Sequence, residues 1–310
     1  MPDFPFTPSA HVPFRDMEAI ARCRAITRDD IEKHKNPGLK IRVVPDADRG
    51  YILITDMFHR IKTSSDEGRR LVLILPNPAP IYRQLARLIN RFRVDCRNLV
   101  LFPMDEYADQ DGRVAPIIWP NSFGYAMLHN LIYQIDEDLR PPESQVHYFT
   151  TENVGDYGKM IEDAGHADVV YSGPGWTGHV AFVEPDAPEF NAPLEEWMKM
   201  GPRLVTLSPF TLAQNSLHGC FGMSGDLAAV PPKAVTIGPA EVVNARHRME
   251  LHSIGIHGTA TSWQRMVSRL CLHGPVTPLL PASIHQLLKT DVFISETIAQ
   301  DIQPHPTKGY

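Results

Sequence analysis

Apolar positions along the chain recur with two different periods, and the change from one to the other predicts strands separated by helices. Residues 40–44, 71–75, 98–102 and 167–171 are short apolar runs of strand length. Residues 51–61 keep their apolar side chains to one side, as a helix would. Ile81, Leu85, Leu88, Ile89 and Phe92 recur at helical spacing, with Arg83, Arg87 and Arg91 facing elsewhere. Phe123, Met127 and Leu131 form another such stripe, which Asn121 or Ser122 is placed to cap. Further on, residues 249–256 predict a strand, and Trp263, Met266, Val267, Leu270 and Cys271 a helix. Strands that alternate with helices pair in parallel. The pattern therefore predicts an α/β fold of three layers, a mostly parallel, Rossmann-like sheet with helices on both faces.

Residues 1–38 read differently. Pro2, Pro5, Pro8 and Pro13 discourage regular structure, and only residues 16–28 suit a helix. We expect an N-terminal extension over 1–38 ahead of one domain over 39–310. There is no internal repeat and no low-complexity tract.

Composition narrows the function classes. A hydrophobic content of 43% fits a buried core, and a formal charge of −6 with no Lys/Arg run argues against nucleic acid as partner. Cys23, Cys96, Cys220 and Cys271 lie far apart without C-x-x-C spacing, so neither a zinc site nor a disulfide framework is suggested. A reducing, cytoplasmic setting is expected, and no secretory signal is read. Residues 114–135 lack charges, but Pro116, Pro120, Asn121, His129 and Gln134 interrupt them, so no membrane span is expected.

Two segments carry candidate chemistry. The first is Ser172-Gly173-Pro174-Gly175-Trp176-Thr177-Gly178-His179-Val180-Ala181-Phe182-Val183-Glu184-Pro185, which follows a predicted strand. Its glycines allow φ > 0 and close approach of the backbone to a ligand. His179 and Glu184 make a minimal acid/base pair, although a turn with a structural His reads equally naturally from the residues alone. The second segment is Met104-Asp105-Glu106-Tyr107, at the carboxyl end of another predicted strand, where open α/β sheets bind ligands. Neighbours on an extended chain point oppositely, so Asp105 and Glu106 should not share one job. The plain alternative is an acidic turn that caps the next segment.

Together these segments resemble the glucosamine-6-phosphate deaminase/isomerase family. Its members carry Met-Asp-Glu-Tyr after a strand and, further on, Gly-x-Gly-x-Asp-Gly-His-Ile-Ala-Phe-Asn-Glu-Pro. The similarity continues through Asn121-Ser122, Asn215-Ser216, Val230-Pro231-Pro232-Lys233-Ala234-Val235-Thr236-Ile237-Gly238 and Pro281-Ala282-Ser283-Ile284-His285-Gln286, roughly residues 40 to 302 in all. The related 6-phosphogluconolactonases read Asp-Glu-Arg and Gly-His-Thr-Ala-Ser where this chain has Asp105-Glu106-Tyr107 and Gly178-His179-Val180-Ala181-Phe182, which favours the deaminase side.

The resemblance implies a deaminase/isomerase-type fold and conversion of an aldose amino sugar phosphate to a ketose phosphate and ammonia. It implies no cofactor and no metal. Asp105 falls at the base that moves a proton between C2 and C1, a task that an unburied or hydrogen-bonded Asp satisfies. His179 falls at the ring-opening acid/base, and Glu184 at its supporting carboxylate. Asn77, Glu106, Gly175, Thr177 and Gly178 are expected to border the substrate. The family's varied assemblies leave a homo-oligomer open.

The chain departs from the family where charge matters. Thr177 replaces an Asp two residues before the His, so no charge stands there to stabilise an imidazolium. Val183 replaces an Asn. The family's Gly-rich phosphate loop is replaced by Pro76-Asn77-Pro78-Ala79-Pro80, which lacks three N–H donors. Its Asn-Ser-Arg becomes Asn215-Ser216-Leu217, and a later Lys falls at Gly258. Each lost cation costs ~1.5–3 kcal/mol of charge-assisted bonding. We therefore expect a sugar substrate altered at its distal end, with Arg83, Arg203, Lys233 and His257 as candidate replacement cations. The alternatives are a catalytically decayed sugar-binding homologue and, less favoured, a lactone hydrolase.

Overall fold

The structure is a computed structural model that describes residues 5–76, 79–253 and 264–303. Its strands are β1 (Leu39–Val44), β2 (Leu71–Leu75), β3 (Leu99–Pro103), β4 (Asp105–Ala108), β5 (Val169–Ser172), β6 (Arg203–Thr206), β7 (Lys233–Thr236), β8 (His247–His252) and β9 (Thr290–Ser295). The helices are α1 (Met17–Arg24), α2 (Arg49–Asp66), α3 (Tyr82–Phe92), α4 (Phe123–Asn130), α5 (Tyr157–Asp163), α6 (Leu194–Trp197), α7 (Pro209–Asn215), α8 (Pro239–Asn244), α9 (Gln264–His273) and α10 (Glu296–Ala299).

Six strands form one sheet in the order β1-β9-β8-β5-β2-β3, and every neighbouring pair in it is parallel. β2 and β3 are apolar and buried at every position because both faces are covered there. Leu71, Leu73 and Leu75 of β2 join Leu99 and Leu101 of β3 on the face that α2 and α3 cover with Leu53, Met57, Leu85 and Ile89. Val72, Ile74, Val100 and Phe102 alternate with them on the other face, together with Tyr157, Ile161 and Trp197. That second face holds more than helices. A small antiparallel sheet, β4-β7-β6, packs there through Tyr107, Val205, Ala234 and Val235.

The predicted strands and helices are present within a few residues of their expected ends, including α2, α3, α4 and β8. Residues 254–256 of the expected strand at 249–256, and Trp263 of the expected helix, lie outside the described residues. The extension is less separate than its prolines suggest. Asp16 caps α1 by accepting the Ala19 N–H at 2.9 Å, and Phe14, Ala19 and Cys23 pack against Leu270 and Leu280. Among the described residues no helix is long and apolar enough to cross a membrane.

Candidate active site

Strand order locates the site. β2 and β5 are neighbours, but the chain leaves β2 for β3 on one side and leaves β5 for β8 on the other. Loops that diverge from the carboxyl ends of adjacent parallel strands open a crevice between them. The loop after β5 is the glycine-rich segment, and the turn after β3 leads directly into Asp105 at the start of β4.

The glycine-rich loop is built around His179. Gly178 takes φ +81°, which favours glycine, and its N–H donates to the Gly175 carbonyl at 3.0 Å. The Gly175 N–H donates to the His179 carbonyl at 3.0 Å. A Cβ at Gly175 would stand 1.9 Å from His179 Nε2, so any larger residue would displace the imidazole. Both glycines, expected to border the substrate, spend their N–H groups inside the loop and shape the place of the histidine.

The Nδ1 edge of the ring meets three oxygens. Thr177 Oγ1 lies at 2.9 Å, Thr211 Oγ1 at 3.2 Å and Glu184 Oε2 at 3.6 Å. The last is too long for a good hydrogen bond. The Thr177 hydroxyl donates to Glu184 Oε2 at 3.3 Å, so it joins this pair. Glu184 Oε1 accepts from the Ser208 N–H at 3.4 Å and the Ser208 hydroxyl at 3.3 Å. Burial pushes the Glu184 carboxyl upward, but His179, Thr211 and the Ser208 N–H outweigh it, leaving its pKa below the ordinary value. Glu184 is therefore a buried anion.

Asp105 and Glu106 have separate jobs. Glu106 accepts the N–H groups of Tyr107 at 2.8 Å, Phe123 at 3.1 Å and Gly124 at 2.8 Å, so its oxygens cap α4. These bonds give Glu106 a structural role, close to the plain alternative of a capping acid but buried. Burial raises its pKa to about 7 against those three hydrogen bonds. Asp105 is also buried, yet no hydrogen bond reaches its carboxylate among the described residues. Burial, and then the neighbouring Glu106 charge, lift its pKa well above the usual range. The expectation of an unburied Asp is thereby corrected, for Asp105 at the start of β4 is only 6% exposed.

Asp105 and His179 are tied together through β7. Asp105 pairs with Thr236, whose hydroxyl accepts the N–H of Phe182, three residues beyond His179. Met104, Val180 and Phe182 share one core cluster.

Sequence reasoning missed the contribution of α7. Its N-cap Ser208 holds Glu184, Thr211 reaches His179, and Gln214 Oε1 accepts the Trp176 N–H at 2.7 Å. The signal was present as Ser208-Pro209, a capping residue followed by Pro at the first helical position. His218, just beyond α7, neighbours His179, and burial followed by that neighbour lowers its pKa to about 4. Among the candidate cations, Arg83 is bonded to Asn130 at 3.1 Å, and Arg203 binds the Gly201 and Glu189 carbonyls over the Phe190 ring. Asn77, His257 and Gly258 lie outside the described residues. Among the described residues no group of three His, Cys, Asp or Glu side chains is arranged to hold a metal ion.

Fold and site define an α/β protein with a buried His179–Glu184 pair in the loop after β5 and a buried Asp105 at the start of β4. No protein-family model matches the chain. It is 28% identical over 254 residues to the glucosamine-6-phosphate deaminase of Mannheimia succiniciproducens, covering 79% of this chain and 84% of that one. It is 28% identical over 199 residues to the enzyme of that name from Caenorhabditis elegans, covering 62% and 67%. A monomeric glucosamine-6-phosphate deaminase of the NagB superfamily superposes with a TM-score of 0.66 at 21% identity, over 84% of this chain and 98% of that one. The 6-phosphogluconolactonase of Trypanosoma cruzi follows the same fold with a TM-score of 0.59 at 18% identity, over 88% and 99%. The chain is thus similar in sequence to curated glucosamine-6-phosphate deaminases and shares its α/β fold with one of them and with a 6-phosphogluconolactonase.

Proposed function

We propose that the protein is an amino-sugar deaminase/isomerase whose substrate differs from glucosamine 6-phosphate at its distal end. In this reading His179 Nε2 takes the proton of the anomeric hydroxyl and delivers it to the ring oxygen as the C1–ring oxygen bond breaks, which gives the free aldehyde. Asp105, as carboxylate, removes the C2 proton and returns it to C1 while a proton of the amino group passes to the C1 oxygen, leaving an imine at C2 that water hydrolyses to ketose and ammonia. A carboxylate suits the transfer because one oxygen accepts at one carbon while the other delivers at the next. Substrate binding has to expel the proton that burial favours on Asp105, and a polar or cationic amino sugar supplies the needed field.

The observation that supports this most is a buried Asp105, with no hydrogen bond to its carboxylate among the described residues, whose neighbour Met104 shares a core cluster with Val180 and Phe182 beside His179, a histidine with Nδ1 within 3.2 Å of two hydroxyls. The altered distal end rests on Leu217 in place of an arginine, on Pro76 and Pro80 around the turn after β2, and on Arg83 and Arg203 being held elsewhere. The test is release of ammonia from phosphorylated and unphosphorylated amino sugars side by side. Turnover of an unphosphorylated or differently substituted sugar above glucosamine 6-phosphate supports the reading. Efficient turnover of glucosamine 6-phosphate sinks the altered pocket, and no ammonia from any amino sugar sinks the enzyme.

A further inference from the structure

Three polar side chains near Asp105 and His179 hold unspent hydrogen-bonding capacity. The Tyr107 hydroxyl, Asn215 Nδ2 and His218 Nδ1 are all buried, and none has a hydrogen-bond partner among the described residues. Tyr107 is 0% exposed and Asn215 1%. A buried donor or acceptor left unpaired has lost its water and gained nothing, so folded proteins keep few of them. Three in one neighbourhood call for a partner from outside the chain.

Two elements bring them there. Asp105 and Tyr107 are two apart in β4, so their side chains share one face of the strand. α7 runs along the glycine-rich loop: Ser208 holds Glu184, Thr211 reaches His179 Nδ1 at 3.2 Å, and Gln214 takes the Trp176 N–H at 2.7 Å. Asn215 follows Thr211 by one turn on the same side of the helix. His218 adds a further turn, donating its N–H to the Asn215 carbonyl at 2.8 Å. Its own carbonyl accepts the Phe221 N–H at 3.0 Å, and the Phe221 ring meets that of Tyr107 at 5.7 Å in a T-shaped contact. Residues 211–221 therefore reach from His179 to the strand that carries Asp105.

The surroundings are aromatic, and this stretch brings no cation. The rings of Phe123, Phe182 and Trp119 stand 4.7, 6.0 and 6.2 Å from that of Tyr107. Between Arg203 and Lys233 the chain has no Lys or Arg. Burial, and then His179, lower the His218 pKa to about 4, so this imidazole is neutral near pH 7. An amide, a phenol and a neutral imidazole match hydroxyl groups, and aromatic rings match the C–H faces of a sugar. A phosphate dianion brought to such a wall would be stripped of water with no cation to receive it.

We propose that Tyr107, Asn215 and His218 bind the sugar carbons that Asp105 and His179 do not handle, and that this part of the substrate is hydroxylated and uncharged. The reaction at the other end is that of the proposed function, on which this inference rests; binding at the wall needs no turnover to be seen.

Calorimetric binding of glucosamine and of glucosamine 6-phosphate to the full chain tests it. Wild type should bind glucosamine at least ~10-fold more tightly than the phosphate. Tyr107→Phe, which removes one oxygen, and His218→Leu should each weaken glucosamine binding ~5–100-fold, as loss of one hydrogen bond in a dry site does. Tyr107→Phe should also melt no earlier than wild type, because it deletes a buried hydroxyl that has no partner. A hydroxyl with a structural task would make that variant melt earlier, and such a melt overturns its place in the wall. Tighter binding of glucosamine 6-phosphate by wild type, binding of neither sugar, or unchanged glucosamine affinity in both variants overturns the wall as a whole. Should His218→Leu fail to fold, Tyr107→Phe decides alone. Ammonia release that both variants leave unchanged removes the wall and keeps the deaminase. Binding in the expected pattern without ammonia from any sugar keeps the wall and removes the deaminase.

Discussion

Asp105 carries a conflict that chemistry needs and stability resists. Its carboxyl is buried beside Glu106 with no hydrogen bond among the described residues, and its pKa lies well above the usual range, raised first by burial. A group whose folded pKa exceeds its unfolded value binds its proton more tightly when folded. Its contribution to stability is complete below the unfolded pKa, ~3.9 for Asp, and is lost as pH rises through the folded value. Asp105→Asn should therefore melt later than wild type at pH 8, with the gap closing toward pH 4, while ammonia release falls ~10²–10⁴-fold as expected for a lost general base. Thermal melts at both pH values and one rate assay check it. A variant that is both active and no more stable at pH 8 contradicts the base assignment. The rate of the wild type should likewise rise with pH through a limb above the ordinary Asp range, since only the ionised form accepts the C2 proton.

At the scale of elements, one acid holds the entrance of a helix. Ser122 caps α4 by accepting the Tyr125 N–H at 3.0 Å, and Glu106 takes the Phe123 and Gly124 N–H groups that remain. Together they satisfy the free donors of the first turn and place negative charge at the positive end of the helix. Glu106→Gln puts an amide NH₂ among N–H donors, and we expect a loss of about 1–3 kcal/mol, read as a lower denaturant midpoint. An unchanged midpoint would remove the capping role. This is also where the sequence was least legible. The long elements, such as α3 and β2, announced themselves by period and length, as did the capping serine. β4, β6 and β7 are four residues each, too short for a periodic signal, and their pairing is set by contacts distant along the chain. Without that small sheet on the page, Asp105 and Glu106 read as an exposed turn. His179, Glu184 and Asp105 were legible because a motif marks them. Thr211 was not, because a threonine inside a helix has no pattern of its own and acquires its role only from what folds against it.

Over the whole molecule, residues set apart by composition belong to the same packed body. Phe14 is 8% exposed and lies in a cluster with Ala19, Cys23, Leu270 and Leu280, so Phe14→Ala should cost about 3 kcal/mol in equilibrium unfolding. A loss under about 0.5 kcal/mol would mean that the segment only rests on the surface. Arg269 explains why such a strap is held at all. Its fully buried guanidinium donates to the Ile26 carbonyl at 2.9 Å, to Arg265 at 3.1 Å, and to Ala299 and Gln300 at 3.0 Å each. Five donors on one rigid plane thus clasp the stretch after α1 and the stretch after α10, two regions more than 270 residues apart, to α9. Release of either stretch strands N–H groups in a dry interior, so the two should open as one event. Amide hydrogens of Met17–Arg24 and of Glu296–Ala299 should exchange with a common opening free energy, and Arg269→Met should speed both together. A knot of this kind makes the far ends of the chain report on each other, and damage at one is felt at the other before the sheet between them yields.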